Sequence, residues 1–144
     1  MIYTEAPADF VPAFDVASLF LEHADDILLL LRQDHKPQGN HWGVPAGKAK
    51  KDESPKQTML RELKEETGVI LQEQDLVPLQ KLYVRYPDFD FIYYMFQTKL
   101  TGDRPDIVID PESHKDLTWV KPQDASALQL IPDLDACIQM TYML

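Results

Sequence analysis

The chain of 144 residues has a single cysteine, Cys137, so no disulfide can form within it. That excludes the small disulfide-stapled scaffolds and suits a reducing compartment. Long apolar runs are missing as well. The longest aliphatic stretch, Ile27 to Leu31, is far too short to cross a bilayer, which takes about 20 helical residues. The opening "MIYTEAPADF" is acidic and has neither the basic nor the apolar region of a signal peptide. These absences predict a soluble, cytoplasmic protein with no membrane partner. Positive charge is scarce: 14 Lys and Arg stand against 24 Asp and Glu, a formal net charge of -10. Nucleic-acid binders usually carry a basic face, so a nucleic-acid partner is disfavoured. An anionic substrate would need positive charge from elsewhere, and a divalent metal ion is the obvious source. No internal repeat or low-complexity tract is present.

What remains is an ordinary globular composition, 44% hydrophobic and 26% charged, with length enough for one domain over residues 1–144 and a sizeable core. "FDVASLFLEH" (Phe14 to His23) and "DDILLLLRQ" (Asp26 to Gln33) read as two strands around a hairpin turn. Their continuous apolar runs fit strands covered on both faces. "DHKPQGNHWGVPAGK" (Asp34 to Lys48) is punctuated by Gly, Pro and Asn and reads as a loop with at most a short extended piece. A helix should follow from Pro55 to Thr67, with Ser54 as N-cap, Pro55 at the first helical position and Gly68 as the stop. "LVPLQKLYVRYP" (Leu76 to Pro87) and "DFIYYMFQTKL" (Asp90 to Leu100) are aromatic, β-prone runs joined by a tight turn. Thr101 to Asp116 reads as a polar loop, Leu117 to Val120 as a short strand, "PQDASAL" as a helix start capped by Asp124 or Ser126, and Pro132 to Leu144 as a C-terminal helix. Strands around one strong central helix, with a second helix at the end, predict a layered α/β domain.

The central helix carries an electrostatic oddity. On a wheel of about 100° per residue, Glu66 falls about 40° to one side of Glu62 and Glu65 about 60° to the other. These carboxylates share one narrow face, and like charges at such spacing repel by roughly 0.2–0.5 kcal/mol per pair. Met59, Leu60 and Leu63 form a neighbouring apolar stripe that can anchor the helix to a sheet. Hard divalent cations prefer oxygen ligands, and magnesium takes one or two carboxylates while keeping the rest of its shell for water and phosphate oxygens. A solvated acidic helix face is the plainer reading of a Glu run taken alone.

The spacing of the whole stretch decides between them. It resembles the Nudix hydrolase family (MutT-like proteins), whose signature is G-x5-E-x7-R-E-U-x-E-E-x-G-U with U a bulky apolar residue. Gly47, Glu53, Arg61, Glu62, Leu63, Glu65, Glu66, Gly68 and Val69 occupy every fixed position. A chance match at a given start is on the order of one in a billion at average residue frequencies. The lead-in "WGVPAGK" also resembles the family's, with Ala46 where Gly is frequent.

The resemblance implies an α/β/α sandwich with a mixed central β-sheet and a loop-helix-loop catalytic box. It implies Mg2+, or Mn2+, as cofactor, held by Glu62, Glu66, Glu65 and the Ala46 carbonyl. Arg61 would orient carboxylates of the box, Glu53 among them. The reaction implied is hydrolysis of a nucleoside diphosphate linked to another moiety, with a small nucleotide as substrate. A general base would come from the box or from a later loop, where Asp110, Glu112, His114 and Asp116 are available and Glu112 is preferred. Lys48, Tyr86 and Arg85 are candidate substrate contacts, Tyr86 because its position resembles a marker of some dinucleoside polyphosphate hydrolases. Two other readings share the box: an RNA 5′-end pyrophosphohydrolase, which needs a basic groove, and a catalytically silent module that senses a nucleotide or binds a partner. The sequence is compatible with a monomer or a homodimer.

Overall fold

A computed structural model describes residues 1–144. Eight strands form one mixed sheet: β1 (Ile2–Tyr3), β2 (Pro12–His23), β3 (Asp26–Arg32), β4 (Trp42–Gly43), β5 (Ala46–Lys48), β6 (Val77–Arg85), β7 (Asp90–Leu100) and β8 (His114–Val120). Two α-helices, α1 (Pro55–Thr67) and α2 (Leu134–Tyr142), complete it. No helix is long and apolar enough to cross a membrane.

The sheet runs β1-β6-β7-β2-β3-β4, with β5 also on β2 and β8 on β3. The long β2–β7 pair is parallel, from Pro12–Asp90 to His23–Leu100, and β6–β7 is antiparallel. The β2–β3 hairpin turns through Ala24 and Asp25, both at positive φ (51° and 67°), as a two-residue turn matched to strand twist requires. Beyond the turn the hairpin pairs only at Glu22–Ile27 and His23–Asp26. It then splits. β5 takes the edge of β2 at Val16–Ser18, while β4 takes β3 at Leu30–Leu31. The segment from Trp42 to Lys48 therefore fills a wedge in the middle of the sheet, and the box begins inside that wedge.

Both faces of the sheet are covered. Leu19, Leu21, Leu28 and Leu30 pack with Met59 and Leu63 of α1. The alternate residues Phe20, Ile27 and Leu29 pack with Leu134, Cys137 and Ile138 of α2. This two-sided burial is why β2 and β3 read as unbroken apolar runs. Met59 and Leu63 are fully buried; Leu60 is only partly so, at the rim of the same cluster. Each fully buried anchor contributes roughly 1.5–3 kcal/mol.

The ends of α1 follow local chemistry. Ser54 Oγ accepts the Gln57 amide (3.1 Å) while Gln57 Oε1 accepts the Ser54 amide (2.9 Å), a reciprocal capping box. Gly68 closes the helix at φ 76°, its amide donating to the Lys64 carbonyl at 2.9 Å.

Several local readings are corrected. The expected loop Asp34–Lys48 contains β4 and β5, formed by pairing with distant strands rather than by local propensity. β8 starts at His114, three residues before its apolar part, because β3 supplies partners as far as Arg32; its polar start lies on a sheet edge. "PQDASAL" forms a short 3-10 helix, Pro122–Ala127, with no side-chain cap. α2 begins at Leu134 rather than Pro132, because Asp133 sits at φ 68°, outside helical backbone. β1 was not legible in two residues.

Candidate active site

The box is assembled by β5, the turn after it and α1. Gly47 lies on β5 directly beneath the Glu62 side chain. A Cβ built there would come 2.1 Å from the Glu62 carboxyl carbon and 2.4 Å from its Cγ. Glycine is required at this position by that close approach, since its φ is not positive. Glu62 is consequently laid across the strand, with its side chain 16% exposed.

Arg61 ties the carboxylates together. Its Nε donates to Glu53 Oε2 (2.7 Å) and its Nη2 to Glu53 Oε1 (2.9 Å), a bidentate pair. Nη1 donates to Glu62 Oε1 (2.7 Å) and, more loosely, to Glu65 Oε2 (3.3 Å). Nη2 also reaches the Lys48 carbonyl at 3.0 Å. Such charge-assisted forks fix geometry as well as adding energy. Glu53 accepts two further bonds, from the Lys50 amide (2.8 Å) and the Thr58 hydroxyl (3.0 Å). The Arg61 guanidinium, with these donors, holds the Glu53 carboxyl down at about 2.

Glu66 is the buried member, 9% exposed. Its Oε1 accepts the Ala46 amide at 3.1 Å, which joins α1 to β5. Burial pushes its carboxyl well above the usual range, repulsion and a shared hydrogen bond from Glu62 push the same way, and the Arg32 charge opposes them. A buried carboxylate beside a second carboxylate is an unstable arrangement unless a cation or a proton joins it. No three His, Cys, Asp or Glu side chains close around a common point. The carboxylates that could hold a metal ion are Glu62 and Glu66, side by side, with the more exposed Glu65 at the rim. That set suits magnesium, which takes one or two carboxylates and leaves room for water and phosphate, better than a metal needing an all-protein cage.

The later loop is brought to the same end of the sheet. The Gln33 amide donates to the Ser113 carbonyl (3.0 Å) and Gln33 Nε2 to the Pro111 carbonyl (2.9 Å), docking residues 110–114 beside the end of β3. Within it Asp110 Oδ1 accepts the Glu112 amide, and the Asp110 carbonyl accepts from Ser113 and His114. Asp116 Oδ1 accepts the Leu117 amide. His114 is buried, its Nδ1 has no partner, and desolvation lowers its imidazole to about 4. Glu112 is exposed and its carboxylate makes no hydrogen bond in the chain.

The three expected substrate contacts are scattered. Lys48 places its Nζ 4.2 Å from the centre of the Phe14 ring, at the mouth of the box. Tyr86 is half-buried and packs edge-on to Phe91 at 5.2 Å. With Phe91, Tyr93 and Asp133 it lines a mostly apolar pocket between the sheet and the start of α2. Arg85 clamps the β6–β7 hairpin, donating to both oxygens of Asp90 (2.9 and 3.0 Å) and to Asp9 (3.0 Å). A fourth residue, Arg32, escaped the sequence reading. It ends β3, and its charge is felt at Glu66, Tyr86 and His114. The available signal was a cation closing an apolar strand just before the box lead-in.

Solved structures of other proteins share this fold. The MutT protein of Methanosarcina mazei Go1 superposes with a TM-score of 0.75 at 19% identity, over 95% of this chain and 97% of that one. A bifunctional NMN adenylyltransferase/ADP ribose pyrophosphatase from Francisella tularensis, solved with AMP and a manganese ion, gives 0.75 at 24% identity, over 94% of this chain and 43% of that one. An Ap4A hydrolase from C. elegans gives 0.68 at 18% identity, over 91% and 96%. The family model of the NUDIX domain matches residues 9–139. With a complete box folded onto a mixed sheet and that match over nearly its whole length, the chain belongs to the Nudix hydrolase family.

Proposed function

We propose that this protein is a metal-dependent pyrophosphohydrolase that cleaves a small nucleotide containing a nucleoside diphosphate linked to another moiety. The observation that carries this reading is the pairing of Glu62 with buried Glu66 over Gly47, oriented by Arg61. Glu62 and Glu66, with Glu65 and the Ala46 carbonyl, would hold Mg2+ or Mn2+. Such an ion, when bound, neutralises phosphate oxygens and acidifies water.

The chain's own residues divide the remaining work. Arg61 keeps Glu62 and Glu53 in place through its fork. Glu53 is an orienting group rather than a base, because a carboxyl held near 2 takes up no proton at neutral pH. In the later loop, Asp110 and Asp116 are engaged by backbone amides and His114 is buried. Glu112 is left as the group that accepts the proton of the attacking water. As the water oxygen bonds to phosphorus, its proton passes to Glu112, the bridging P–O bond breaks, and a phosphate leaves with the bond's electrons. The acidic surface supports a small nucleotide over an RNA end, which would need a basic groove. The fold neighbours include an ADP ribose pyrophosphatase and an Ap4A hydrolase, both acting on nucleotides.

The test is a panel of nucleoside diphosphate sugars, dinucleoside polyphosphates, triphosphates and 5′-triphosphate RNA, assayed with and without magnesium and with products identified. Magnesium-dependent cleavage of a small nucleotide is expected. Binding without turnover of any member would mean a silent module, and exclusive cleavage of RNA ends would replace the small-nucleotide reading.

A further inference from the structure

We propose that the groove between α2 and the 3-10 helix Pro122–Ala127 binds a linear aliphatic polyamine, one ammonium held by Glu22 and Asp25 and another by Asp135. The site lies apart from the box and does not rest on the hydrolase reading.

The groove consists of two clefts joined end to end. Glu22, Asp25, Lys121 and Tyr142 line the first, of about 340 Å³. Ala125, Leu130, Asp135 and Ile138 line the second, of about 130 Å³. Pro122, Gln123 and Leu144 border both, so the two are continuous. Helical spacing builds one wall: Asp135, Ile138, Gln139 and Tyr142 recur at i, i+3, i+4 and i+7 along α2. Tyr142 is fixed in that wall. Its ring packs edge-on to Phe20 at 5.7 Å, and its hydroxyl accepts from Gln97 Nε2 at 3.3 Å.

Glu22 is the residue that points to a ligand. Alternation along β2 turns it to the same face as Phe20, toward α2. It is only 8% exposed, yet its Oε2 is shut off from solvent with no hydrogen-bond partner. The neighbouring cations are placed elsewhere. Lys121 Nζ lies 3.6 Å from Asp26, and Lys99, opposite Glu22 on β7, is exposed. Burial raises the Glu22 carboxyl above its ordinary value; Lys99 opposes the rise and Asp25 adds to it. A cation donating hydrogen bonds to this carboxylate offsets the cost of burying it.

The shape of the groove decides the kind of cation. No three His, Cys, Asp or Glu side chains converge as a metal ion would need. Instead the middle is apolar, at Pro122, Ala125, Leu130 and Ile138, and carboxylates stand at the two ends. Asp135 is exposed, and its Oδ1 accepts the Ala136 amide at 2.8 Å, which leaves Oδ2 for a ligand. From Asp135 to Tyr142, which shares the first cleft with Glu22, is two turns of helix, about 10 Å. Ammonium groups at that separation, joined by methylenes, match both the charges and the apolar floor, as a lysine stem does when it lies along apolar surface. The box is remote: Gly47 pairs with Ala17, about 16 Å along β2 from Glu22.

The test titrates spermidine calorimetrically into the protein at physiological ionic strength, with magnesium saturating the box. Wild type is compared with Glu22→Gln, Asp25→Asn and Asp135→Asn, and with Glu73→Gln, which removes an exposed carboxylate outside the groove. Thermal melting confirms that each variant folds. Wild type should bind one spermidine per chain. Glu22→Gln should weaken binding by about 10- to 100-fold, the range for losing a hydrogen bond to a charged group. Asp25→Asn, which keeps a residue suited to the left-handed turn, and Asp135→Asn should each weaken it by about 2- to 5-fold, as for exposed ion pairs. Glu73→Gln should change nothing. Propylamine, with a single ammonium, should bind wild type more weakly than spermidine and be indifferent to Asp135→Asn. Absence of saturable spermidine binding would overturn the proposal, as would unchanged affinity in folded Glu22→Gln and Asp25→Asn proteins. An equal loss in Glu73→Gln would overturn it too, by showing attraction to the acidic surface as a whole. So would one-for-one displacement of spermidine by magnesium, which would mark a metal site.

Discussion

Gly47→Ala isolates the geometry of the box from its chemistry, because it removes no ligand and no charge. The added methyl carbon would sit 2.1 Å from the Glu62 carboxyl carbon. Carbon atoms at optimal contact are about 3.5–4.0 Å apart. Glu62 must therefore retreat by about 1.5 Å, and its 2.7 Å bond to Arg61 must lengthen or re-form. A misplacement of about 1 Å in a catalytic group can cost on the order of 100-fold in rate. The overpacking itself costs about 1–3 kcal/mol, which leaves the fold intact. Steady-state hydrolysis at saturating magnesium, with thermal melting as the control, should show kcat reduced by about 100-fold in a cooperatively folding protein. Glu62→Gln should lower turnover at least as severely. Because both changes act through one side chain, the double variant should lose little beyond Glu62→Gln alone. Near-normal turnover of a folded Gly47→Ala protein would refute the argument, as would losses in the two variants that multiply.

Four further outcomes follow from the same site. Magnesium should raise the melting temperature of the wild type, by the equivalent of about 2.7 kcal/mol at a hundredfold excess over its Kd. Glu66→Gln should melt higher than the wild type without metal, since it relieves a buried carboxylate next to Glu62, and should lose most of the magnesium response; an unchanged response would remove Glu66 from the ligand set. Glu53 is held below its unfolded value, so its contribution to stability is present above the ordinary carboxylate range and is lost as pH falls toward about 2. Acid titration of melting temperature should accordingly show a smaller drop between about pH 4.5 and 2 for Glu53→Gln than for the wild type, and parallel curves would count against the Arg61 fork. Glu112→Gln should lower kcat while leaving magnesium binding unchanged; retention of full activity would move the base elsewhere in the site.

The central helix shows why part of this molecule was readable without coordinates. Ser54, Pro55, Gln57 and Gly68 act within a few residues of one another, so the boundaries of α1 follow from local chemistry. The carboxylate face follows from helical periodicity alone. The two-sided burial of β2 and β3 was legible for a similar reason, since it leaves unbroken apolar runs. By contrast β4, β5 and the start of β8 are held by partners far away in the chain and carry little signal of their own. The residues around the box divide the same way. Arg85 and Arg32 are each single cations closing a strand, and nothing local tells them apart. Asp90 and Asp9 engage one, while the other meets no carboxylate.

The sequence by itself determined the family, the helix that carries the carboxylates, and their crowding on one face. These depend on spacing along the chain, where periodicity and capping act over a turn or two of helix. Only the tertiary structure decided that Glu66 is buried while Glu65 stays at the rim, and that Gly47 lies beneath Glu62. Only the fold, likewise, brought the loop of Glu112 to the end of β3 and left Arg32 without a carboxylate partner. Burial and charge pairing depend on which distant segments the sheet brings together, and the split between β2 and β3 sets that for this site.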